Sequence, residues 1–154
     1  MRVIFLDVDG VLNTQDIIHN ADRSKHWSET HLDPERIALL DQIVERTGAV
    51  CVLSSSWRIL VPVDDFEQLL AARGFRGRII DRTGSCGNRG NEIRDWLLEH
   101  PEVERFAVLD DDSQDMEAVK DHLVLTSFER GLEPKHVEEV IKRLEEGSCT
   151  STTK

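Results

Sequence analysis

The chain has 154 residues and a formal net charge of −11, with 32% charged residues. A chain of this length can bury roughly 68–70% of its unfolded surface in a single domain without disulfides. Its acidic balance argues against binding a nucleic-acid backbone by charge alone, which needs clustered Lys and Arg. Three cysteines without CxxC spacing, no membrane-length apolar run and no signal-peptide layout predict a soluble cytoplasmic protein without membrane contact.

Apolar runs alternate with amphipathic segments along the chain. Residues 2–6, 49–53 and 105–109 are apolar on both faces, which is typical of central strands in a covered parallel sheet. Helical periodicity and end signals predict helices over 34–47, 64–73, 92–100 and 134–146, and shorter strands over 78–80 and 122–125. The alternation predicts a three-layer α/β sandwich with a mainly parallel, Rossmann-like sheet, as one domain over 1–146 with a disordered tail over 147–154.

Two carboxylates follow the first predicted strand, in the stretch IFLDVDG. Asp7 stands at the strand end, and side-chain alternation puts Asp9 on the same side of the extended backbone. Gly10 then allows a turn. Two like charges this close need a cation, a shared proton or opposed roles, although an exposed acidic turn is the simpler alternative.

A second acidic group follows the strand over 105–109, where Asp110, Asp111 and Asp112 are succeeded by Asp115. Parallel strands point their carboxyl ends at one edge of a sheet, so this group is expected to converge with Asp7. Carboxylate oxygens suit a hard cation, most simply Mg²⁺. Helix capping by Asp112 is the structural alternative, but it leaves Asp110 and Asp111 without a role.

The strand over 49–53 is followed by Ser54, Ser55 and Ser56, whose hydroxyl and backbone N–H groups could hold a phosphoryl oxygen. A serine run is otherwise an ordinary turn signal. Arg89, in the glycine-rich segment 80–91, could neutralise both a phosphate and the acidic group, or be a solvated surface charge.

Taken in order, these motifs resemble those of the haloacid dehalogenase (HAD) superfamily of phosphohydrolases and phosphotransferases. The matching features are the apolar strand with DxDG, the strand ending in Ser54, a cation at Arg89, for which Arg82 and Arg94 are alternatives, and the strand ending in Asp110, Asp111 and Asp115. More narrowly, the segments LSSSWR and VLDDD are similar to those of small HAD-like domains in multifunctional RNA-repair proteins.

The resemblance implies a Mg²⁺-dependent phosphatase that hydrolyses a phosphate monoester through an aspartyl-phosphate. Asp7 is implied as the nucleophile and Asp9 as the acid and base, with Ser54 and Arg89 binding the phosphoryl oxygens. The implied metal ligands are Asp7, the backbone carbonyl of Asp9, and Asp111, supported by Asp110 or Asp115.

HAD enzymes usually select substrates with an inserted cap, and neither of the usual insertion points holds one here. A minimal cap suits a large substrate, such as a nucleotide or nucleic-acid 3′-phosphate end, or a site completed by a partner protein. We expect the polar segment 14–30 to form a flap in which Lys25 grips substrate and Trp27 stacks on a base, or packs on the body instead. Arg58 is expected on the same rim, with Trp57 either on the rim or in the core.

Two other functions share this fold class. A signalling receiver also has an acidic pocket, but its phosphorylated Asp follows the acidic pair along the chain, whereas the DxD motif comes first here. A non-catalytic or slowly turning over binding module would retain the fold, although both Asp7 and Asp9 are present.

Overall fold

A computed structural model describes the backbone of residues 1–152 and the side chains of residues 1–145. The strands are β1 Arg2–Leu6, β2 Val50–Leu53, β3 Ile79–Arg82, β4 Arg105–Asp110 and β5 Leu123–Leu125. The helices are α1 Gln15–His19, α2 Trp27–Thr30, α3 Pro34–Thr47, α4 Trp57–Leu60, α5 Val63–Ala71, α6 Arg89–Leu98 and α7 Pro134–Thr152, with a 3₁₀ helix at Glu117–His122.

The five strands form one parallel sheet in the order β3-β2-β1-β4-β5. β1 lies at its centre, where Val3 is opposite Val50 of β2 and Phe106 of β4. The chain builds outward from β1 to β3 and then returns to place β4 on the other side of β1. The predicted α/β sandwich is therefore confirmed, and a topological switch point lies between β1 and β4, where such folds bind ligands.

Both faces of the sheet are covered by helices. Val3 and Phe5 of β1 belong to one apolar cluster, which includes Ile93 of α6. Ile4 and Leu6 alternate onto the opposite face, in the larger cluster formed with α3, α5 and α7. These side chains are fully buried, which stabilises the fold by about 1.5–3 kcal/mol for each large apolar group. The central strand is thus held from both sides.

The α3 helix forms where its end signals predict it. The Asp33 side chain accepts a hydrogen bond from the backbone N–H of Glu35, and Pro34 occupies the first turn. Gly48 ends the helix in the left-handed conformation, with φ 72°. Ile37 and Leu40 bury the apolar stripe in the larger cluster.

Several boundaries differ from prediction. Segment 14–30 is not only loop: it contains α1, capped by the Thr14 hydroxyl, and α2, capped by the His26 ring. α6 begins at Arg89 because the Asn88 side chain accepts a hydrogen bond from the N–H of Asn91. These caps come from side chains closing local turns, which hydrophobic periodicity does not report.

Among the described residues, no helix is long and apolar enough to cross a membrane. The tail predicted as disordered, 147–154, overlaps the helical backbone of α7 at 147–152, and residues 153–154 lie outside the described residues.

Candidate active site

Asp7 lies at the carboxyl end of β1, beside the switch point. Its backbone N–H donates to the carbonyl of Leu109 (3.0 Å), which extends the pairing of β1 with β4 by one residue. The side chain is only 6% exposed. The first predicted site carboxylate therefore occupies a buried, fixed position at the edge where ligands of α/β folds bind.

Three carboxylates converge at this edge. Asp7, Asp110 and Asp111 each offer an oxygen, and these oxygens all lie within 4.8 Å of one another. Asp110 is fully buried, and its Oδ1 accepts a hydrogen bond from the N–H of Asp112 (3.0 Å). Burial, and next the charge of Asp110, raise the pKa of Asp7 well above its usual value, and the same two causes raise the pKa of Asp111.

Arg89 supplies the cation of the cluster. As the first residue of α6, it places Nη1 2.7 Å from Asp110 and 3.4 Å from Asp7. Burial lowers the pKa of Arg89, but these two carboxylates outweigh that effect and raise it. The alternative cations lie elsewhere, with Arg82 donating to the carbonyl of Arg58 and Arg94 to the carboxylate of Asp95.

The cluster has the donors and the charge for a divalent cation. Three ionised carboxylates and one guanidinium leave a net charge of −2. Oxygen donors at this spacing suit Mg²⁺, whose charge would balance the excess. The carboxylate of Asp115, a predicted supporting ligand, is not in the group of three. The ligand predicted from Asp9 is its backbone carbonyl, and that assignment stays a prediction.

Asp9 is held apart from the cluster by a separate network. Its Oδ1 accepts hydrogen bonds from the Asn13 side-chain amide (2.9 Å) and from the indole N–H of Trp57 (3.3 Å). Asn13 also donates to the carbonyl of His31 and accepts from the N–H of Gly10. Asn13 was not predicted as a site residue, although its position three residues after the DxDG turn indicates a local contact with that turn. The two carboxylates of the DxD motif therefore have different environments.

Gly10 allows the turn to pass close to Asp111. Its φ of 82° is a left-handed conformation, and a Cβ atom at this position would overlap the Asp111 side chain. Its carbonyl accepts a hydrogen bond from the Thr126 hydroxyl (2.5 Å). Glycine is thus required both by the backbone conformation and by the close approach of the acidic group.

The serines after β2 take different positions. Ser54 is fully buried, and its Oγ has no hydrogen-bond partner within the part of the chain that the structure describes. The hydroxyl of Ser55 accepts from the N–H of Trp57 (3.1 Å), so it serves the turn into α4. Ser56, the third serine of the run, lines the cleft beside Asp7.

Arg58 is buried and paired with protein groups. Its guanidinium donates to Glu92 (3.2 Å), to the hydroxyl of Ser85 (3.0 Å) and to the carbonyl of Ser55 (2.8 Å). It lines a cleft of about 290 Å³ next to Arg89. Its predicted contact with substrate stays a prediction.

The two predicted flap residues, Trp27 and Lys25, differ in how deeply they are buried. Trp27 is half-buried, with its ring in edge contact with Trp57 (centroids 4.6 Å apart), which is itself in the core. Lys25 is exposed and lines, with Trp27, a separate cleft of about 490 Å³. Neither side chain lines the acidic cleft, so their roles toward substrate stay predictions.

The acidic cluster opens into a cleft of about 310 Å³. It is lined by Asp7, Asp9, Ser56, Arg89, Asp110, Asp111, Asp112 and Phe128. A buried carboxylate, a second carboxylate held on separate donors and a cation therefore face one space, which is the set of groups that acid-base or phosphoryl-transfer chemistry uses.

Comparison with known proteins identifies the family. Residues 3–137 match the family model described as the HAD domain in Swiss Army Knife RNA repair proteins. No curated protein and no solved structure gave a significant match. Because the match covers most of the chain, it supports a hydrolase activity of the HAD type, in agreement with the acidic cluster. The chain belongs to the family of HAD domains found in Swiss Army Knife RNA repair proteins.

Proposed function

We propose that the protein is a Mg²⁺-dependent phosphatase that hydrolyses the phosphate monoester of a nucleotide or a nucleic-acid 3′ end through an aspartyl-phosphate on Asp7. The observation that carries this proposal is the convergence of Asp7, Asp110 and Asp111 with Arg89 at the switch point. The family match supports the reaction class, and its description, which names RNA repair proteins, supports a nucleic-acid substrate. The cytoplasm is the proposed location.

The first half-reaction forms the intermediate. The Asp7 carboxylate attacks phosphorus in line, forming an O–P bond as the bond to the leaving oxygen breaks. Asp9 gives its proton to that oxygen. The contacts from Asn13 and Trp57 hold Oδ1 of Asp9, so the proton is carried on Oδ2.

The second half-reaction restores the protein. Asp9, now a carboxylate, accepts a proton from water, which attacks phosphorus and releases inorganic phosphate and the Asp7 carboxylate. Asp9 ends the cycle protonated, as it began. Separate hydrogen-bonding networks for the two aspartates support these opposed roles.

Asp7 and Asp111, with the backbone carbonyl of Asp9 and support from Asp110, would hold Mg²⁺. When bound, the ion supplies charge neutralisation that keeps Asp7 ionised next to its acidic neighbours and close to a phosphate dianion. Without it, burial and Asp110 favour protonated Asp7, a poor nucleophile.

Arg89 and Ser54 are the proposed ligands of the phosphoryl oxygens. Asp110 fixes the Arg89 guanidinium at 2.7 Å, and the same Nη1 lies 3.4 Å from the nucleophile. The Ser54 hydroxyl is buried and has no hydrogen-bond partner among the residues that the structure describes, which supports an acceptor supplied by substrate. Such preoriented donors stabilise the charge that develops on the transferring group.

Substrate binding beyond the phosphate is proposed for Lys25, Trp27, Ser55 and Arg58, although none of these side chains lines the acidic cleft itself. The cleft is open, and the elements that the structure describes include no inserted cap over it, which supports either a large substrate or a partner protein that completes the site.

The proposal is tested by phosphate release from an aryl phosphate, a 5′-mononucleotide, a 3′-phosphorylated oligonucleotide and a phosphopeptide, with Mg²⁺ or EDTA. Wild type should release phosphate only with Mg²⁺, and Asp7→Asn should lose roughly 10⁴-fold or more of that rate. Asp64→Asn, which changes an exposed carboxylate of α5, is the matched control and should retain activity. Release that survives EDTA or the loss of Asp7 would contradict the mechanism.

A further inference from the structure

Phe128 is the apolar exception in the acidic cleft. Among the described residues that line this cleft, five are aspartates, one is Arg89, one is Ser56 and one is Phe128. Phe128 is 39% exposed, and the other large apolar side chains exposed on the described surface are aliphatic. Within residues 1–145 its ring makes no stacked or edge contact with another aromatic ring. Part of an aromatic side chain is therefore exposed beside the reacting groups.

The loop that carries Phe128 is fixed at both ends to the site. Before it, the N–H of Thr126 donates to the carbonyl of Asp110 (2.9 Å), and the Thr126 hydroxyl donates to Gly10. The carbonyl of Phe128 itself accepts from the N–H of Gln15 (2.9 Å), at the start of α1. A closing hydrogen bond from Gly131 to Ser127 completes the turn. Because the backbone is held by the same elements as the carboxylates, the ring is preorganised relative to them.

Charge alone gives this cleft little hold on a nucleic acid. The chain has a net charge of −11, and the cation of the cleft, Arg89, is engaged by Asp7 and Asp110. Phosphates beyond the reacting one would meet aspartates, including the exposed Asp112. Within this cleft, affinity for the leaving group therefore calls for an uncharged contact, and stacking on an aromatic ring provides one for any base.

We propose that Phe128 is a substrate-binding residue that stacks on the nucleobase of the nucleotide bearing the scissile phosphate, and so selects nucleotide esters over base-free phosphate esters. This inference rests on the proposed function for its catalytic readout, but the stacking itself is a binding property. Trp27 is a weaker platform for the same base, because its ring contacts Trp57 and it does not line this cleft.

The test compares two matched substrates, a 3′-phosphorylated oligonucleotide and the same oligonucleotide with an abasic 3′-terminal sugar. Wild type should favour the base-bearing substrate by roughly 5- to 150-fold in kcat/KM, the range expected for one base stacked on an aromatic ring. Phe128→Leu, which keeps apolar volume but removes the ring, should reduce this preference toward one, and Phe128→Tyr should restore it. A 3′-mononucleotide shows whether a free nucleotide suffices or a nucleic-acid end is needed.

Leu98→Ala is the matched control, since it truncates an exposed apolar side chain at the end of α6 and should leave the preference at its wild-type value. An unchanged preference in Phe128→Leu would overturn the inference while leaving the proposed hydrolysis intact. Binding of both oligonucleotides to Asp7→Asn separates the stacking hypothesis from the proposed hydrolysis. If no ester is hydrolysed but Phe128→Leu abolishes a preference for the base-bearing oligonucleotide in binding, stacking stands and the proposed function fails. Equal or absent binding of the two oligonucleotides overturns stacking.

Discussion

Two charged clusters each include a side chain from the first turn of α6, and they differ in how their charges are balanced. In the first, Arg58 pairs with Glu92, and both side chains are less than 10% exposed (7% and 5%). The second Glu92 oxygen accepts the N–H groups of Cys86 and Gly87 (2.8 and 3.1 Å). This cluster is electrically neutral and ties the loop before α6 to the turn after β2.

In the second cluster, one arginine faces three carboxylates. Arg89 contacts Asp7 and Asp110, and Asp111 completes the group with an excess of two negative charges. Burial and the charge of Asp110 raise the pKa of both Asp7 and Asp111. Buried charge alone therefore does not identify the active site. The unbalanced cluster, open to a cleft, is the one suited to a cation and a phosphate.

The largest expected effect comes from breaking the balanced cluster. Arg58→Ala leaves Glu92 buried without its counter-charge, which should lower the free energy of unfolding by about 3–5 kcal/mol. Urea denaturation followed by circular dichroism measures the change. Arg46→Ala, which removes an exposed ion pair with Glu138, is the control and should have little effect. Equal losses in the two variants would show that the Arg58–Glu92 pair is not structural.

Removing the cation of the unbalanced cluster should affect turnover more than stability. Arg89→Ala deletes a donor held 3.4 Å from Asp7, so we expect kcat to fall by about 10²- to 10³-fold. Because the carboxylates lose their protein counter-charge, the Mg²⁺ concentration for half-maximal activity should also change. Arg82→Ala and Arg94→Ala serve as controls, and a comparable fall in either would reassign the phosphate-binding cation.

Gly10→Ala distorts the unbalanced cluster without changing its charge. The substitution places a Cβ atom against Asp111 and forces a left-handed alanine, so we expect a stability loss of about 1–3 kcal/mol. Gly48→Ala is a matched control, since Gly48 has a similar φ of 72° but open space around it. Thermal unfolding with and without Mg²⁺ separates the two effects, because only Gly10→Ala should also reduce the stabilisation by Mg²⁺. Equal Mg²⁺ responses would argue against Asp111 as a ligand.

The smallest expected effect concerns His136, a buried titratable group that we expect to be neutral in the folded protein. His136 is 5% exposed, and its Nδ1 accepts the N–H of Glu133 (3.0 Å). Burial lowers the pKa of His136, so the folded state resists a proton that the unfolded chain accepts. Stability should therefore decline as pH falls through the unfolded value of about 6.5. His136→Gln should show a shallower decline between pH 7 and 5.5 in urea titrations, and identical slopes would contradict a neutral buried His136.

Much of the fold could be predicted from local patterns. The apolar runs before Asp7, Ser54 and Asp110 become neighbouring parallel strands, because their two-sided hydrophobicity suits a sheet covered on both faces. Asp33 and Gly48 mark the ends of α3, because capping depends on residues close in sequence. The short helices within 14–30 escaped prediction because their stability depends on caps and packing rather than on an apolar stripe.

The amino-acid sequence by itself determined which carboxylates stand at strand ends, since a strand and the residue after it are local features. Only the tertiary structure decided that Arg89, rather than Arg82 or Arg94, meets Asp7, and that Arg58 is paired inside the fold with Glu92. It also brought Phe128 into the cleft, 121 residues after Asp7 by the numbering of the chain. The physical reason is that such contacts depend on strand order and on where each helix begins, so side chains that are distant in sequence become neighbours only when the whole sheet is assembled.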